Sequence, residues 1–370
     1  MELLQKARKL ESQGRDIVHM EIGEPDFATP DPVIRASVEI LQQGQIKYTP
    51  AAGMPELREK IAQYYQRQYA VDVDPQRIFI TPGASGAFLL TLGVSLNPGD
   101  EVLMTDPCYP CNSNFISFFD AVTRMIPVDA GTDFQLNAQL LEQHWGKRTR
   151  GVLITSPANP TGSVIAAKDL QQCVELVNGR EGCLYSDEIY HGLVHGSAAA
   201  SALQFSDRVF VINSFSKYFA MTGWRIGWLI VPEAYCDAVQ RLAQNIFIST
   251  PSLSQHAALA AFSEENLEEL ENRAAEFARR GEFLYQELRR LGFAIASRPE
   301  GAFYIYADCS KFTADSYQFA LDLLQQEGGA VTPGKDFGSN APHRHIRFAY
   351  TTAMHRLEEG IRRLERFVGA

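Results

Sequence analysis

The sequence predicts an α/β fold, in which a mostly parallel central sheet carries helices on both faces and a smaller α+β domain is attached. Two observations predict it. Short continuous apolar runs alternate with amphipathic helical segments along residues 77–231, and strands buried on both faces have such runs. Beyond Thr250 the pattern changes to a long charged helical region and a few isolated strands. With 370 residues, the chain is long enough for two domains with separate hydrophobic cores.

The composition excludes several classes of protein. The net charge of −10 argues against a nucleic-acid-binding protein, which needs a basic surface. No apolar run is long enough to span a membrane, and the charged, amphipathic N-terminus lacks the apolar centre of a signal peptide. We therefore expect no membrane partner, a cytoplasmic location, and six cysteines that are reduced thiols.

The N-terminal part is predicted to contain three helices and one short extended segment. Residues 1–14 form an amphipathic helix with an apolar face, and residues 17–20 are extended. Asp31 is predicted to cap the second helix and Gly44 to end it. Pro55 is predicted to open the third helix, since proline is well tolerated in the first turn.

Seven short apolar runs are the predicted strands of the central sheet. Ligands of such sheets bind beyond the carboxyl ends of the strands. Polar motifs directly after a strand are therefore candidate site residues. The predicted strands are residues 77–80, 101–105, 122–128, 151–155, 183–186, 209–212 and 226–231.

The C-terminal part is predicted to form the smaller α+β domain. Residues 253–291 are one long charged helical region, followed by strands at residues 293–296 and 302–307. A helix, a loop at residues 331–338, a strand at residues 345–349 and a final helix complete it.

The stretch from Asn213 to Gly227, NSFSKYFAMTGWRIG, contains the strongest chemical signal. Lys217 follows a predicted buried strand, with Ser214 three residues before it and Arg225 eight residues after it. The neighbouring aromatic residues would desolvate the lysine and so favour its neutral, nucleophilic form. Ser214 and Arg225 would bracket an anion. An amine beside an anion site fits a phosphorylated aldehyde such as pyridoxal phosphate (PLP), whereas a lone lysine is usually a solvated residue of a surface turn.

This stretch resembles the lysine signature of the class I/II aminotransferases, PLP enzymes of fold type I in the aspartate aminotransferase superfamily. The pattern S-x-x-K is followed by T-G-W-R-I-G at the offset of that family, and the resemblance covers essentially the full length. It implies that Lys217 carries the cofactor as a Schiff base and that the serine and arginine above hold its phosphate. It also implies a PLP-binding domain at residues 45–255 and a discontinuous small domain at residues 1–44 and 256–370.

Three residues that follow strands are implied to bind the cofactor ring. Asp187, in a D-E-x-Y pattern, corresponds to the aspartate that keeps the pyridine nitrogen protonated, whereas Asp alone in this position is commonly a helix cap. Tyr190 would donate to the cofactor's phenolate oxygen. Asn159, in the string N-P-T-G, would bond to the same oxygen, although Asn-Pro alone is an ordinary turn signal.

A glycine-rich turn between a predicted strand and a helix, Thr81 to Gly86, is expected to bind the phosphate. Small residues let backbone N–H groups approach an anion, which the helix N-terminus also favours. The resemblance assigns this role to Gly83, Ala84 and Ser85. Some dicarboxylate-specific bacterial members have a lysine at the position of Ser85. The serine therefore favours a neutral or aromatic donor over aspartate.

Two tyrosines receive roles from the resemblance. Tyr109 occupies the position of the aromatic residue that stacks on the pyridine ring, with core packing as the alternative. Tyr48, in the string Y-T-P-A-A-G, corresponds to the tyrosine that reaches the phosphate of the neighbouring subunit's cofactor. Its alternative role is to cover its own core. The resemblance thus implies a homodimer with shared active sites.

The substrate is expected to bind at Arg347 and Gly23. A charged residue inside the apolar strand at residues 345–349 is rarely buried without a partner, and a planar guanidinium suits a bidentate grip on a carboxylate. The resemblance implies that Arg347 holds the α-carboxylate with help from Asn159. The backbone at Gly23 would close over the same substrate.

The sequence therefore predicts a PLP-dependent aminotransferase that moves the amino group of an L-amino acid to a 2-oxo acid by a ping-pong mechanism. A PLP-dependent C–S lyase, which catalyses β-elimination, would use the same residues, and a non-catalytic PLP-binding module is a third possibility. No metal is predicted. Cys108 and Cys111 lack a second cysteine pair, and the glycines beside His191 and His195 disfavour the helix that a zinc motif needs.

Overall fold

The structure, a computed structural model, describes residues 2–196 and 199–369. Helices and strands alternate along it, as predicted. The helices are α1 (Glu2–Ser12), α2 (Asp31–Gln43), α3 (Pro55–Tyr69), α4 (Gly83–Ser95), α5 (Pro110–Phe118), α6 (Ala138–His144), α7 (Ala167–Gly179), α8 (Cys236–Ile246), α9 (Ser252–Ala260), α10 (Glu264–Leu291), α11 (Ser316–Glu327) and α12 (Met354–Val368). The strands are β1 (Val18–His19), β2 (Ile78–Thr81), β3 (Glu101–Asp106), β4 (Val122–Pro127), β5 (Thr149–Thr155), β6 (Cys183–Asp187), β7 (Phe210–Ser214), β8 (Gly227–Ile230), β9 (Tyr304–Asp308), β10 (Gly329–Ala330), β11 (Thr332–Pro333) and β12 (His345–Ala349).

The central sheet has seven strands in the order β2-β8-β7-β6-β5-β3-β4. Strands β4, β3, β5, β6 and β7 are parallel to one another, whereas β8 is antiparallel to both of its neighbours. The mostly parallel sheet predicted from the sequence is therefore confirmed. Its carboxyl edge brings Thr155 opposite Asp187, and Ser214 opposite Gly227.

The core lies on both faces of this sheet, which explains the continuous apolar runs. Successive side chains of a strand point to opposite faces. In β5, Val152 and Ile154 pack into one hydrophobic cluster while Leu153 packs into the other. All three are buried. A strand that is buried on both faces needs an apolar residue at every position, so apolar and polar residues do not alternate along it.

The smaller part contains a three-stranded antiparallel sheet in the order β11-β12-β9. The N-terminal strand β1 pairs in parallel with β10, so the beginning of the chain lies against the C-terminal part. The domain boundaries at residues 44/45 and 255/256 remain a prediction.

Two local predictions were wrong, and one helix boundary was missed. Asp31 is the first residue of α2 rather than its cap, which is Pro30. Residues 293–296 contribute only an isolated bridge between Ala294 and Asp308 instead of a strand. The start of the second helix of the long helical region was not predicted: Ser263 begins α10 by accepting a hydrogen bond from the backbone N–H of Asn266, which separates it from α9.

Among residues 2–196 and 199–369, none of the helices combines the length and the apolar composition that are needed to cross a lipid bilayer.

Candidate active site

A cavity of about 600 Å³ lies at the carboxyl edge of the central sheet, where the three-stranded sheet faces it. It is the place that the fold class predicts for a ligand. Eleven of the thirteen predicted site residues line it. They are Gly23, Ala84, Ser85, Tyr109, Asn159, Asp187, Tyr190, Ser214, Lys217, Arg225 and Arg347.

Lys217 lies in the interior of this cavity, not on a solvated surface turn. Its Nζ donates a hydrogen bond to the carbonyl oxygen of Gly23 over 2.6 Å. Burial is the main cause that lowers the pKa of Lys217 to about 8; the negative charge of Glu24 opposes this shift, and the positive charges of Arg347 and Arg225 contribute to it. A substantial share of the amine is therefore neutral near pH 8, as a nucleophile requires.

An anion cradle lies on one side of Lys217. The N-terminus of α4 carries no side-chain cap among the described residues, so its first backbone N–H groups are available. Gly83 is in the left-handed region at φ 67°, and a Cβ there would lie 2.7 Å from Nη2 of Arg225. Glycine therefore lets the guanidinium lie against the turn. Ser214, the last residue of β7, is buried beside it and bonds to Ser216 over 2.9 Å.

Asp187 ends β6 and is buried. Its carboxylate accepts weak hydrogen bonds from Ile189 N over 3.3 Å and from Thr155 Oγ1 over 3.4 Å. Burial raises the pKa of Asp187 to about 7, which these two bonds only partly counteract. A cationic N–H donor placed in the cavity would stabilise the carboxylate form.

Arg347 lines the cavity from β12 of the three-stranded sheet. Its Nη1 donates to Asn159 Oδ1 over 2.9 Å, and its Nη2 donates to the Glu21 carbonyl oxygen. The guanidinium carbon lies 4.4 Å from the ring centroid of Tyr304 and 4.8 Å from that of Phe337. Its Nε is buried and has no partner in the described part of the chain. The structure thus brings together the two residues that the sequence assigns to the substrate's α-carboxylate, and this role stays a prediction.

Two predicted residues do not line the cavity of their own chain. Gly83 lies behind it, in contact with Arg225. Tyr48 is 83% exposed and lies outside the cavity. It does not cover its own core.

Sequence reasoning missed Tyr304, Thr155, Glu21 and Phe337. All four line the cavity. Tyr304 and Thr155 stood in predicted strands, where an aromatic or β-branched residue usually indicates core packing. No local pattern distinguishes them, because their role depends on which strands are neighbours.

The cysteine and histidine patterns have structural explanations. His191 is buried and its Nδ1 bonds to the hydroxyl of Tyr69, while Nε2 of His195 bonds to Tyr350. Cys108 is a buried thiol whose pKa burial raises to about 12. Among the described residues, no three His, Cys, Asp or Glu side chains are arranged to hold a metal ion.

Comparisons with known proteins agree on one family. The sequence model of the family described as "Aminotransferase class I and II" matches residues 15–364. The chain belongs to the class I and II aminotransferases.

Relatives of this aminotransferase span nearly its whole length. It is 38% identical to the (5-formylfuran-3-yl)methyl phosphate transaminase of Methanocaldococcus jannaschii, over 100% of this chain and 96% of that protein. It is 40% identical to the valine–pyruvate aminotransferase of Mycobacterium tuberculosis, over 94% and 90%. It is 34% identical to the aspartate aminotransferase of Thermotoga maritima, over 100% and 96%.

Solved structures show the same fold. An aminotransferase from Mycobacterium tuberculosis superimposes with a TM-score of 0.97 at 39% identity, covering 100% of this chain and 96% of that one. Aspartate aminotransferase from Thermus thermophilus with maleate gives a TM-score of 0.94 at 32% identity, covering 99% and 95%. Because the relatives are named as transaminases or aminotransferases, they support transamination as the activity of this chain. They do not favour the C–S lyase alternative.

Membership of this family implies PLP, and the cavity fits that cofactor. The anion cradle of α4 and Arg225 suits a phosphate, and a buried carboxylate at Asp187 suits a protonated ring nitrogen. Lys217, whose amine has a pKa lowered to about 8, lines the same cavity. Amino acids and 2-oxo acids are the substrates of aminotransferases.

Proposed function

We propose that this aminotransferase binds PLP covalently at Lys217 and moves the amino group of an L-amino acid with a neutral side chain to a 2-oxo acid. The observation that carries the proposal is the position of Lys217, whose low-pKa amine lies in one cavity with the cationic groups of Arg225 and Arg347. One cation suits a phosphate and the other suits a carboxylate.

The residues on the cofactor side have separable roles. Arg225, Ser214 and the backbone N–H groups at Ala84 and Ser85 would hold the phosphate. Asp187 would keep the ring nitrogen protonated, and Tyr190 and Asn159 would bond to the phenolate oxygen. When bound, PLP supplies an electron sink that stabilises negative charge at the substrate's Cα. Tyr109, at the start of α5, would stack on the ring.

The residues on the substrate side orient the amino acid and move one proton. Arg347 binds the α-carboxylate, for which its unpartnered Nε and its flat face between two aromatic rings are suited. The backbone of Gly23 covers the substrate. Once released from the cofactor, the neutral Nζ of Lys217 takes the proton from the substrate's Cα.

A neutral donor side chain is supported by the charges of the cavity. In the described part of the chain, its lining cations are Lys217, Arg225 and Arg347, all of which have roles above. A second carboxylate would need a further cation, because burying an unpaired charge is costly. The lining instead contains acidic Glu21 and Glu24, and apolar side chains such as Leu4, Ile22, Phe115 and Phe337.

A homodimer with shared sites is supported by an apolar surface next to Tyr48. Ile34, Val38 and Leu41 lie on one side of α2 and are 41%, 46% and 52% exposed. Ile46, which lies between α2 and Tyr48 in the sequence, is 45% exposed. A second copy of the chain on this surface would bury these side chains and bring Tyr48 to the partner's phosphate site.

A cytoplasmic location is supported by the cysteines. All six are free thiols in the structure, as a reducing compartment would keep them.

The direct test is to supply the PLP-loaded enzyme with a nitrogen-labelled L-amino acid and an unlabelled 2-oxo acid. The label is expected in the amino acid formed from that oxo acid. Release of the label as ammonia with pyruvate would contradict the proposal and indicate β-elimination. Label that stays entirely in the donor amino acid would contradict the proposal and indicate a non-catalytic PLP-binding protein.

A further inference from the structure

Tyr304 lines the cavity and contacts three groups that the proposed function uses. It is the first residue of β9 and is 1% exposed. Its hydroxyl lies 2.9 Å from the hydroxyl of Tyr190, and its ring stacks on Arg347. The backbone at Gly23 lies close to the same hydroxyl, since a Cβ added at Gly23 would lie 2.0 Å from the hydroxyl oxygen of Tyr304.

The hydroxyl pair limits how Tyr190 can use its proton, since either hydroxyl can be the donor in this pair. Tyr190 is itself buried, and in the described part of the chain its hydroxyl has one hydrogen-bond partner, Tyr304. A tyrosine hydroxyl has a single proton to donate and can accept others. If Tyr190 donates into the cavity, it can only accept from Tyr304. Burial raises the pKa of both hydroxyls, so each retains its proton.

The ring acts on the other functional group. The guanidinium of Arg347 lies over the face of Tyr304 at 4.4 Å, a distance at which a cation and an aromatic face attract. This contact holds the guanidinium plane towards the cavity together with Asn159. Tyr304 thus contacts Tyr190 on the cofactor side through its hydroxyl and Arg347 on the substrate side through its ring.

We propose that Tyr304 is a positioning residue with two functions: its hydroxyl donates to Tyr190 and directs the Tyr190 proton at the cofactor, while its ring orients Arg347 for the substrate carboxylate. This proposal rests on the proposed function above. Because chained hydrogen bonds strengthen one another, Tyr190 donates more strongly with Tyr304 behind it. That donation favours the deprotonated form of the bound cofactor.

Tyr304→Phe separates the two functions, because it removes the hydroxyl and keeps the ring. The pH midpoint of the bound cofactor's absorbance change in the resting enzyme is expected to rise by roughly half a unit to one unit, equivalent to one net hydrogen bond. The KM for donor and acceptor is expected to stay within about twofold. Tyr304→Leu, which also removes the ring, should raise both KM values by about tenfold, the equivalent of a partly desolvated cation–π contact.

The double variant Tyr190→Phe/Tyr304→Phe tests whether Tyr304 acts through Tyr190. Its midpoint is expected to equal that of Tyr190→Phe alone, since the second substitution removes a donor that no longer has an acceptor. Tyr306→Phe is the matched control, a buried hydroxyl two residues along β9 whose side chain does not line the cavity. Its midpoint should match that of the wild type.

An unchanged midpoint in Tyr304→Phe, or additive shifts in the double variant, would overturn the role proposed for Tyr304. Either result would leave the proposed function intact. The absence of any pH-dependent cofactor band from the wild-type enzyme would overturn the proposed function with it.

Discussion

Nη1 of Arg347 donates a hydrogen bond to Oδ1 of Asn159 over 2.9 Å. The arginine comes from the three-stranded sheet and the asparagine from the loop after β5 of the central sheet. The two residues are 188 positions apart, yet both line one cavity. A substrate carboxylate that binds both residues would therefore contact parts of both sheets.

Replacing Arg347 with alanine should damage both half-reactions, since donor and acceptor share the carboxylate that it binds. We expect kcat/KM to fall on the order of a hundredfold or more in each half-reaction, the usual effect of losing a charge-assisted bidentate pair. Single-turnover absorbance changes with donor alone and with acceptor alone measure it. Arg344→Ala is the control, since this arginine pairs with Asp308 at the surface and should leave both half-reactions unchanged. An effect on one half-reaction only would contradict the role.

The sequence predicted the central sheet and most of the cavity for a physical reason. Parallel strands require apolar residues on both faces, and their carboxyl ends converge, so polar residues after different strands end up together. Lys217, Asp187 and Asn159 were found in this way. The signal is local at each strand and needs no knowledge of strand order.

What the sequence could not predict depends on contacts between distant elements. In the sequence, Tyr304 resembles a core residue of a strand. Only the structure shows that its hydroxyl bonds to that of Tyr190. Residues 293–296 looked like a strand but form only a single bridge, from Ala294 to Asp308 on the edge of β9 that faces away from β12.

The preferred donor is expected to be a neutral or aromatic amino acid. We expect kcat/KM for leucine, phenylalanine or alanine to exceed that for aspartate by about tenfold or more, because no further cation balances a second carboxylate. Ser85→Lys, which places a cation beside the anion cradle, should narrow the difference. A value for aspartate well above the three neutral amino acids would show that another cation, such as one from a partner subunit, serves the site.

Mixed dimers test whether Tyr48 serves the neighbouring subunit. Tyr48→Phe and Arg225→Ala should each weaken PLP retention. If the sites are shared, a heterodimer of the two variants has both defects in one site and none in the other. Titration with PLP is then expected to show one wild-type-like site per dimer. Two weakened sites, each with the defect of one single variant, would mean that Tyr48 acts within its own chain.

His19 should stabilise the protein in a pH-dependent manner. Its Nδ1 bonds to Glu21 over 2.7 Å and its Nε2 to Glu11 of α1 over 2.9 Å. The bond to Glu21, above all, raises the pKa of His19 to about 9. A raised pKa means that the contribution is fully present below about pH 6.5 and is lost as the pH rises through about 9.

His19→Gln should therefore lower the thermal midpoint at pH 6 and have little effect at pH 10. Thermal unfolding of both proteins across this range measures the difference. His144→Gln is the control, because that ring bonds to a backbone carbonyl of its own helix instead of a carboxylate. A His19→Gln difference that stays constant with pH would contradict the ion-pair explanation.

The pKa of Lys217, about 8, predicts how the apoenzyme takes up its cofactor. The covalent bond needs a neutral amine, so its rate of formation should rise with pH and level off above about 8. An ordinary lysine, with a pKa of 10.5, would level off above that value. Stopped-flow absorbance after mixing apoenzyme with PLP gives the rate. A profile that still rises at pH 10 would show that burial does not depress this pKa.

The central claim is that Lys217 is the residue that carries the cofactor. Borohydride reduction of the PLP-loaded enzyme, followed by proteolysis and mass spectrometry of the peptides, tests it most directly. The label is expected on the peptide that contains Lys217, and Lys217→Ala should retain PLP through the phosphate contacts but yield no labelled peptide. A label on any other lysine, or a labelled peptide from Lys217→Ala, would contradict the account.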